Sequence, residues 1–248
     1  MDERDFSRQI GLAWSSVKDA LAIGKFLIAK RSLPVDDAFR AVALNEEATY
    51  EEIYKVGLSR SHYNILLSDY AYFQFTLQSP TSWRLGYFPN PWLTGAPAAE
   101  VELKHWETLE EIGALNHEEA SSLIGDMPVR GAVPPIRFEY APAEYQELAH
   151  PAAHFHIGRH SENRWASSLA VGPLAFTLHI AKMYYPTAWA RCSRFYGAAD
   201  GNCIDEMFLG VVNDVRIVHE FSEKERRAMH FGKNPPARWW EAFARPRT

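Results

Sequence analysis

Residues 153–158 read AHFHIG, inside the longer run HPAAHFHIGRH (150–160) that holds four of the chain's ten histidines. Apolar and polar residues alternate through them, which is the signature of a strand. Successive side chains of a strand point to opposite faces. Ala153, Phe155 and Ile157 therefore share a buried face, and His154 and His156 share the other, about 7 Å apart along the backbone. Gly158 follows and leaves space beside the imidazoles.

Strands surround this one. RWASSLAV (164–171) pairs back on it across the turn RHSEN (159–163). PPIRFEY (134–140) is short and bounded by prolines, so it reads as an edge or early strand. HYNILLSDYAYFQFTLQ (62–78) is rich in aromatic and branched residues, and WRLGYFPNPW (83–92) forms the second arm of a hairpin or meander. MFLGVVNDVRIVHEF (207–221) holds two short strands around its ND, or one strand and a turn.

Helical periods flank the strands. In residues 6–30, Ile10, Trp14, Val17 and Leu21 recur three and four apart, an amphipathic stripe. Thr49 and Glu52 form a capping box, and Asn116 with Glu119 a second cap in the helical run 105–126. GPLAFTLHIAKMYYPTAW (172–189) is a helix entered at Pro173 and ended before Pro186. Ser222 with Glu225 caps another, and ARWWEAFA (237–244) closes the chain in a helical turn or two. The expectation is one α+β domain, an antiparallel sheet of about five strands with helices packed against it. Its parts are a helical portion at about 1–60, a sheet-containing core at about 61–220 and C-terminal helices at about 222–246.

The composition, 47% hydrophobic and 23% charged, suits a folded protein with a sizeable core. No apolar run approaches the roughly 18 residues needed to cross a bilayer. The first residues, MDERDFSRQ, are too mixed in charge for a secretory signal, and Cys192 and Cys203 make no disulfide framework. A cytoplasmic protein with no membrane partner is expected. The net charge of -5 argues against a uniformly basic nucleic-acid binder. Residues 1–136 carry 12 Lys/Arg against 19 Asp/Glu, a net of -7, and residues 137–248 carry 14 against 12, a net of +2. This split permits, without requiring, a site for an anionic ligand such as RNA in the second half; if the chain is a partner subunit, the acidic first half is its docking surface for a protein.

The chemistry concentrates on residues 137–162. Arg137 and Glu139 have the same two-residue spacing as His154 and His156. If their strands pair in the right register, the four converge. One chemistry is metal-independent phosphodiester cleavage: His154 and His156 as acid–base pair, Arg137 steadying the phosphorane, Glu139 orienting a histidine. A second is a divalent metal on His154, His156 and Glu162, with His160 nearby. No cofactor is required by the first. Glycine-rich phosphate loops, G-x-S-x-G and H-E-x-x-H are all missing, which leaves P-loop and serine-hydrolase chemistry without support. YFPNPW (87–92) places aromatics around a turn, either as core or to stack a base.

YFPNPW, IRFEYAPAEY (136–145), HPAAHFHIG and GPLAFTLHIAKMYYPTAW resemble the successive motifs of the bacterial domain-of-unknown-function family 2290, over roughly residues 60–190. The resemblance implies a bacterial, cytosolic, single-domain protein. R-F-E-Y…HP-x-x-H-x-H is also loosely similar to histidine-rich strands of small toxin proteins suspected of cutting RNA. That likeness implies a nuclease-like protein of a toxin or phage-defence system. The alternative is a non-catalytic partner or sensor subunit of a defence complex that binds protein, nucleic acid or a small ligand.

Overall fold

The structure is a computed structural model and describes residues 1–94, 108–116, 118–119, 133–159, 163–193 and 203–213. It opens with helix α1 (Glu3–Ser15), whose N-terminus is capped by the Asp2 carboxylate accepting from the Asp5 amide. Phe6, Ile10 and Ala13 form its buried stripe, and a π-helical turn (Ser16–Ala20) extends it. The helical period of the sequence runs on to residue 30, but the chain turns at Ala22 (φ +55) into strand β1 (Gly24–Leu27). Helix α2 (Asp37–Ala43) starts on the Asp36 side chain. Helix α3 (Tyr50–Ser59) starts on the expected box, the Thr49 hydroxyl accepting from the Glu52 amide and Glu52 from the Thr49 amide. The reciprocal Asn116–Glu119 bonds form as well.

Strands β2 (Ile65–Leu67), β3 (Tyr72–Ser79), β4 (Ser82–Phe88), β5 (Ile136–Tyr140), β6 (Ala153–Ile157) and β7 (Trp165–Ala166) follow. With β1 they form one antiparallel sheet in sequential order, a meander of seven strands rather than about five. The PPIRFEY strand is interior, not an edge: β5 pairs with β4 on one side and β6 on the other. Its prolines precede the ladder, where the Pro135 carbonyl accepts from the Gly158 amide. Helices α4 (Pro173–Tyr184), α5 (Pro186–Arg191) and α6 (Ile204–Asn213) complete the described chain. Helix α6 corrects the expectation of strand from residue 207. Its first turn carries Asp205 and Glu206, favourable at a helix N-terminus, and Phe208 packs edge-on to Trp189. The expected helices at Ser222 and 237–244 lie outside the described residues.

The pleat divides the side chains between two cores. Phe73, Phe75, Leu85 and Phe138 face α1 and α4, burying apolar area from both sides. Trp83 belongs to this core too, and its indole N–H donates to the Val171 carbonyl at 2.8 Å. On the opposite face Tyr72 and Phe88 stack at 5.0 Å and meet Tyr54 of α3 and Trp92. YFPNPW is therefore core: Phe88 and Trp92 are buried, and Asn90 folds the turn by accepting from the Trp92 amide. The result is one α+β domain.

Candidate functional site

The β5–β6 register puts Glu139 opposite His154 and Arg137 opposite His156. On the other side of β5, Arg84 lies opposite Glu139. Directly paired residues point to the same face of a sheet, so Arg84, Arg137, Glu139, His154 and His156 share one. It is the face that carries Tyr72 and Phe88 farther along the sheet, since Thr76 pairs with Arg84 and Tyr72 with Phe88.

The two histidines on this face are not solvated, although Arg84 is exposed. His154 is 0% exposed and His156 5%, while Phe155 and Ile157 on the reverse face are only half-buried. The β5–β6 connection folds over the pair, with a backbone bridge between Gln146 and His150. That brings the His150 ring edge-on to His154 at 4.9 Å, as His154 is to His156 at 4.7 Å.

The protons can be placed. His154 Nδ1 lies 2.8 Å from the Pro151 carbonyl oxygen, which only accepts, so that nitrogen carries the hydrogen and Nε2 keeps its lone pair. His154 Nε2 faces His156 Nε2 at 3.0 Å. His156 Nδ1 is buried with no hydrogen-bond partner among the described residues. Glu139 is divided between two neighbours. Its Oε1 accepts from Arg84 Nε at 2.8 Å and Nη2 at 2.7 Å, while Oε2 looks toward His154 Nε2 at 4.0 Å. One ligand atom each from Glu139, His154 and His156 lies within 4.8 Å of the others.

Burial dominates the electrostatics. It pushes both imidazoles below the usual histidine range, His156 to about 3, with the Arg137 guanidinium adding to the effect. Burial also lowers Arg137, opposed by the Glu139 carboxylate. An acid–base pair needs one charged imidazole; this pair stands neutral at pH 7 and offers lone pairs.

Four of the expected residues thus come together: Arg137, Glu139, His154 and His156. Glu162 and His160, the expected metal partners, lie outside the described residues, and Glu139 supplies the carboxylate beside the imidazoles. Gly158 differs from expectation as well. It stands at φ +88 and a Cβ there would meet nothing within 4 Å, so the backbone demands it rather than space. Arg84 was not foreseen. Its signal was a lone charge in the strand WRLGYF, which gains meaning only once Glu139 is known to lie opposite.

Fold and site together define an α+β protein with a buried three-donor polar centre on the second face of a seven-stranded antiparallel meander. The family model described as "Uncharacterized conserved protein (DUF2290)" matches residues 30–233, and the chain belongs to that family. No curated protein and no solved structure matches it. Among the described residues no helix is long and apolar enough to cross a membrane.

Proposed function

We propose that the chain cleaves phosphodiester bonds, RNA first among them, at the β5–β6 face. The observation that carries this reading is the register, with Arg137 beside His156 and Glu139 beside His154. Arg137 offers a planar fork that matches phosphate and stabilises the charge of a five-coordinate phosphorus. His154 and His156 present nitrogen lone pairs where a nucleophile has to be activated, and the Pro151 carbonyl, rather than Glu139, holds His154 in that tautomer. A toxin or phage-defence setting rests on the R-F-E-Y…HP-x-x-H-x-H likeness alone.

Burial of the imidazoles favours a second reading, a non-catalytic partner or sensor subunit in which the cluster organises a binding surface. One experiment separates the two. Labelled RNA and DNA panels are incubated with purified protein and with the His154→Ala/His156→Ala variant, with and without EDTA. Cleavage lost in the folded variant supports the enzyme. Cleavage that the variant retains sinks this site, and no cleavage by folded wild-type protein moves the reading to the binding subunit.

A further inference from the structure

We infer that Glu139, His154 and His156 hold one divalent transition-metal ion of the zinc type. The inference deepens the reading above, giving the same face an electrophile, but its own evidence is the geometry of the three donors.

Two imidazoles and a carboxylate, with further positions left open, form a donor set that suits zinc and its neighbours rather than magnesium or calcium. Two of the three donors carry the outer partner that a metal ligand needs, while His156 Nδ1 has none among the described residues. The Pro151 carbonyl fixes the His154 tautomer so that Nε2 is the free donor. Arg84 occupies one oxygen of Glu139 and leaves Oε2 on the imidazole side. The Nε2···Nε2 approach of 3.0 Å leaves, between two buried imidazoles, either one shared proton or a cation. Donors bound at about 2.0–2.1 Å to a tetrahedral zinc stand about 3.3 Å apart. The two imidazoles therefore need to open by a few tenths of an ångström, and Glu139 Oε2, now 4.0 Å from His154 Nε2, to close by somewhat more. Both are side-chain adjustments.

With zinc bound, the imidazoles serve as its ligands rather than as an acid–base pair. A zinc-bound water is ionised near neutral pH. In hydrolysis its oxygen bonds to phosphorus, the ester P–O bond breaks, and the water's proton ends on the departing alkoxide. Arg137 sits beside the ligands on the same face, placed to meet the phosphoryl charge.

The test uses untagged full-length protein, stripped with chelator and dialysed. Zinc is titrated by calorimetry, and cobalt(II) is added as a spectroscopic probe. The expected result is one equivalent of zinc per chain and visible cobalt bands of a four- or five-coordinate site. Both are lost in His154→Ala/His156→Ala, and zinc affinity falls at least 10-fold in Glu139→Gln, with circular dichroism showing each variant folded. If a variant does not fold, thermal shift of the wild type decides: zinc raises its melting temperature and magnesium does not. No stoichiometric binding by folded wild type, or binding that the variants keep, overturns the inference. Cleavage that resists EDTA in a protein that binds no zinc overturns the metal and leaves the phosphodiesterase. Stoichiometric zinc without cleavage upholds the metal and overturns the phosphodiesterase.

Discussion

Gly158 ends β6 at φ +88, beside the histidine pair, with open space where a side chain would project. An alanine there pays no steric penalty from neighbours, so its cost isolates the backbone conformation. Left-handed geometry costs an L-residue roughly 1–2 kcal/mol. Gly158→Ala should lower unfolding stability by about that amount in urea titrations, with zinc stoichiometry unchanged. Arg84 gives the converse. Its ion pair with Glu139 is half open to solvent, the two side chains being 53% and 14% exposed, and such pairs contribute about 0–1 kcal/mol. Arg84→Ala should therefore barely move stability. It does release Glu139 Oε1, and loss of an outer partner typically weakens metal binding about 10- to 100-fold. A calorimetric zinc titration of Arg84→Ala against wild type checks this, and equal affinities would show that Arg84 does not position Glu139.

Among the elements, the β2–β3 turn is tied to two distant segments by Asp69. Its Oδ1 accepts from the Ala71 amide at 3.1 Å; Oδ2 accepts from the Thr94 hydroxyl at 2.8 Å and the Tyr185 hydroxyl at 2.9 Å. Tyr185 also meets Tyr87 at 3.0 Å, so the α4–α5 junction, the turn after β4 and the β2–β3 turn share one network. Burial raises the Asp69 pKa above its usual 3.8, opposed by the Thr94, Ala71 and Tyr185 hydrogen bonds. A carboxyl raised on folding holds its proton more tightly in the native state. Its contribution therefore favours folding at acid pH and declines as pH rises from 3.8 through the folded value. Asp69→Asn should remove that decline, and urea midpoints measured at intervals from about pH 4 to 7 check it; an unchanged slope would place the pH dependence elsewhere.

Much of this architecture was legible at element level, because the signals are local. Alternation in AHFHIG gives the strand; Thr49 with Glu52 gives a helix start; Pro173 and Pro186 bracket α4. What was not legible is non-local. That β5 is interior depends on β4 and β6 lying on either side of it. That β6 buries its histidines more deeply than Phe155 and Ile157 goes with the 146–150 turn, which lays the His150 ring edge-on to His154. Helix α6 carries the run MFLGVVN, whose branched residues resemble a strand until its acidic first turn and the Trp189 contact are taken together. Arg84 shows the same limit, since nothing within WRLGYF names Glu139 as its partner.

At the scale of the whole molecule, one sheet serves two cores. Tyr72 and Phe73 are neighbours on β3, both fully buried, and they point into opposite cores. Phe73 packs with Phe75, Tyr87 and Phe176 of α4, and Tyr72 with Tyr54 of α3, Tyr63 and Phe88. Neither core can open without exposing the reverse of the same strands, because β2, β3 and β4 contribute to both. Helices α1 and α4 on one side and α3 on the other should therefore unfold together. The expected cost of Phe73→Ala is about 3–5 kcal/mol, the range for a buried aromatic truncated to alanine. Tyr72→Ala should cost a similar amount and also remove the hydroxyl that donates to the Tyr54 carbonyl at 3.2 Å. The measurement is denaturant unfolding of each variant followed by tryptophan fluorescence and far-ultraviolet circular dichroism. The fluorescence averages over the eight tryptophans of the chain, among them Trp83 in the first core and Trp92 in the second. Coincident curves in both variants mean that the sheet couples its two faces. If Tyr72→Ala splits the fluorescence from the dichroism while Phe73→Ala does not, the α3 side is a separate unit, and the Glu139–His154–His156 face lies on the side that can loosen.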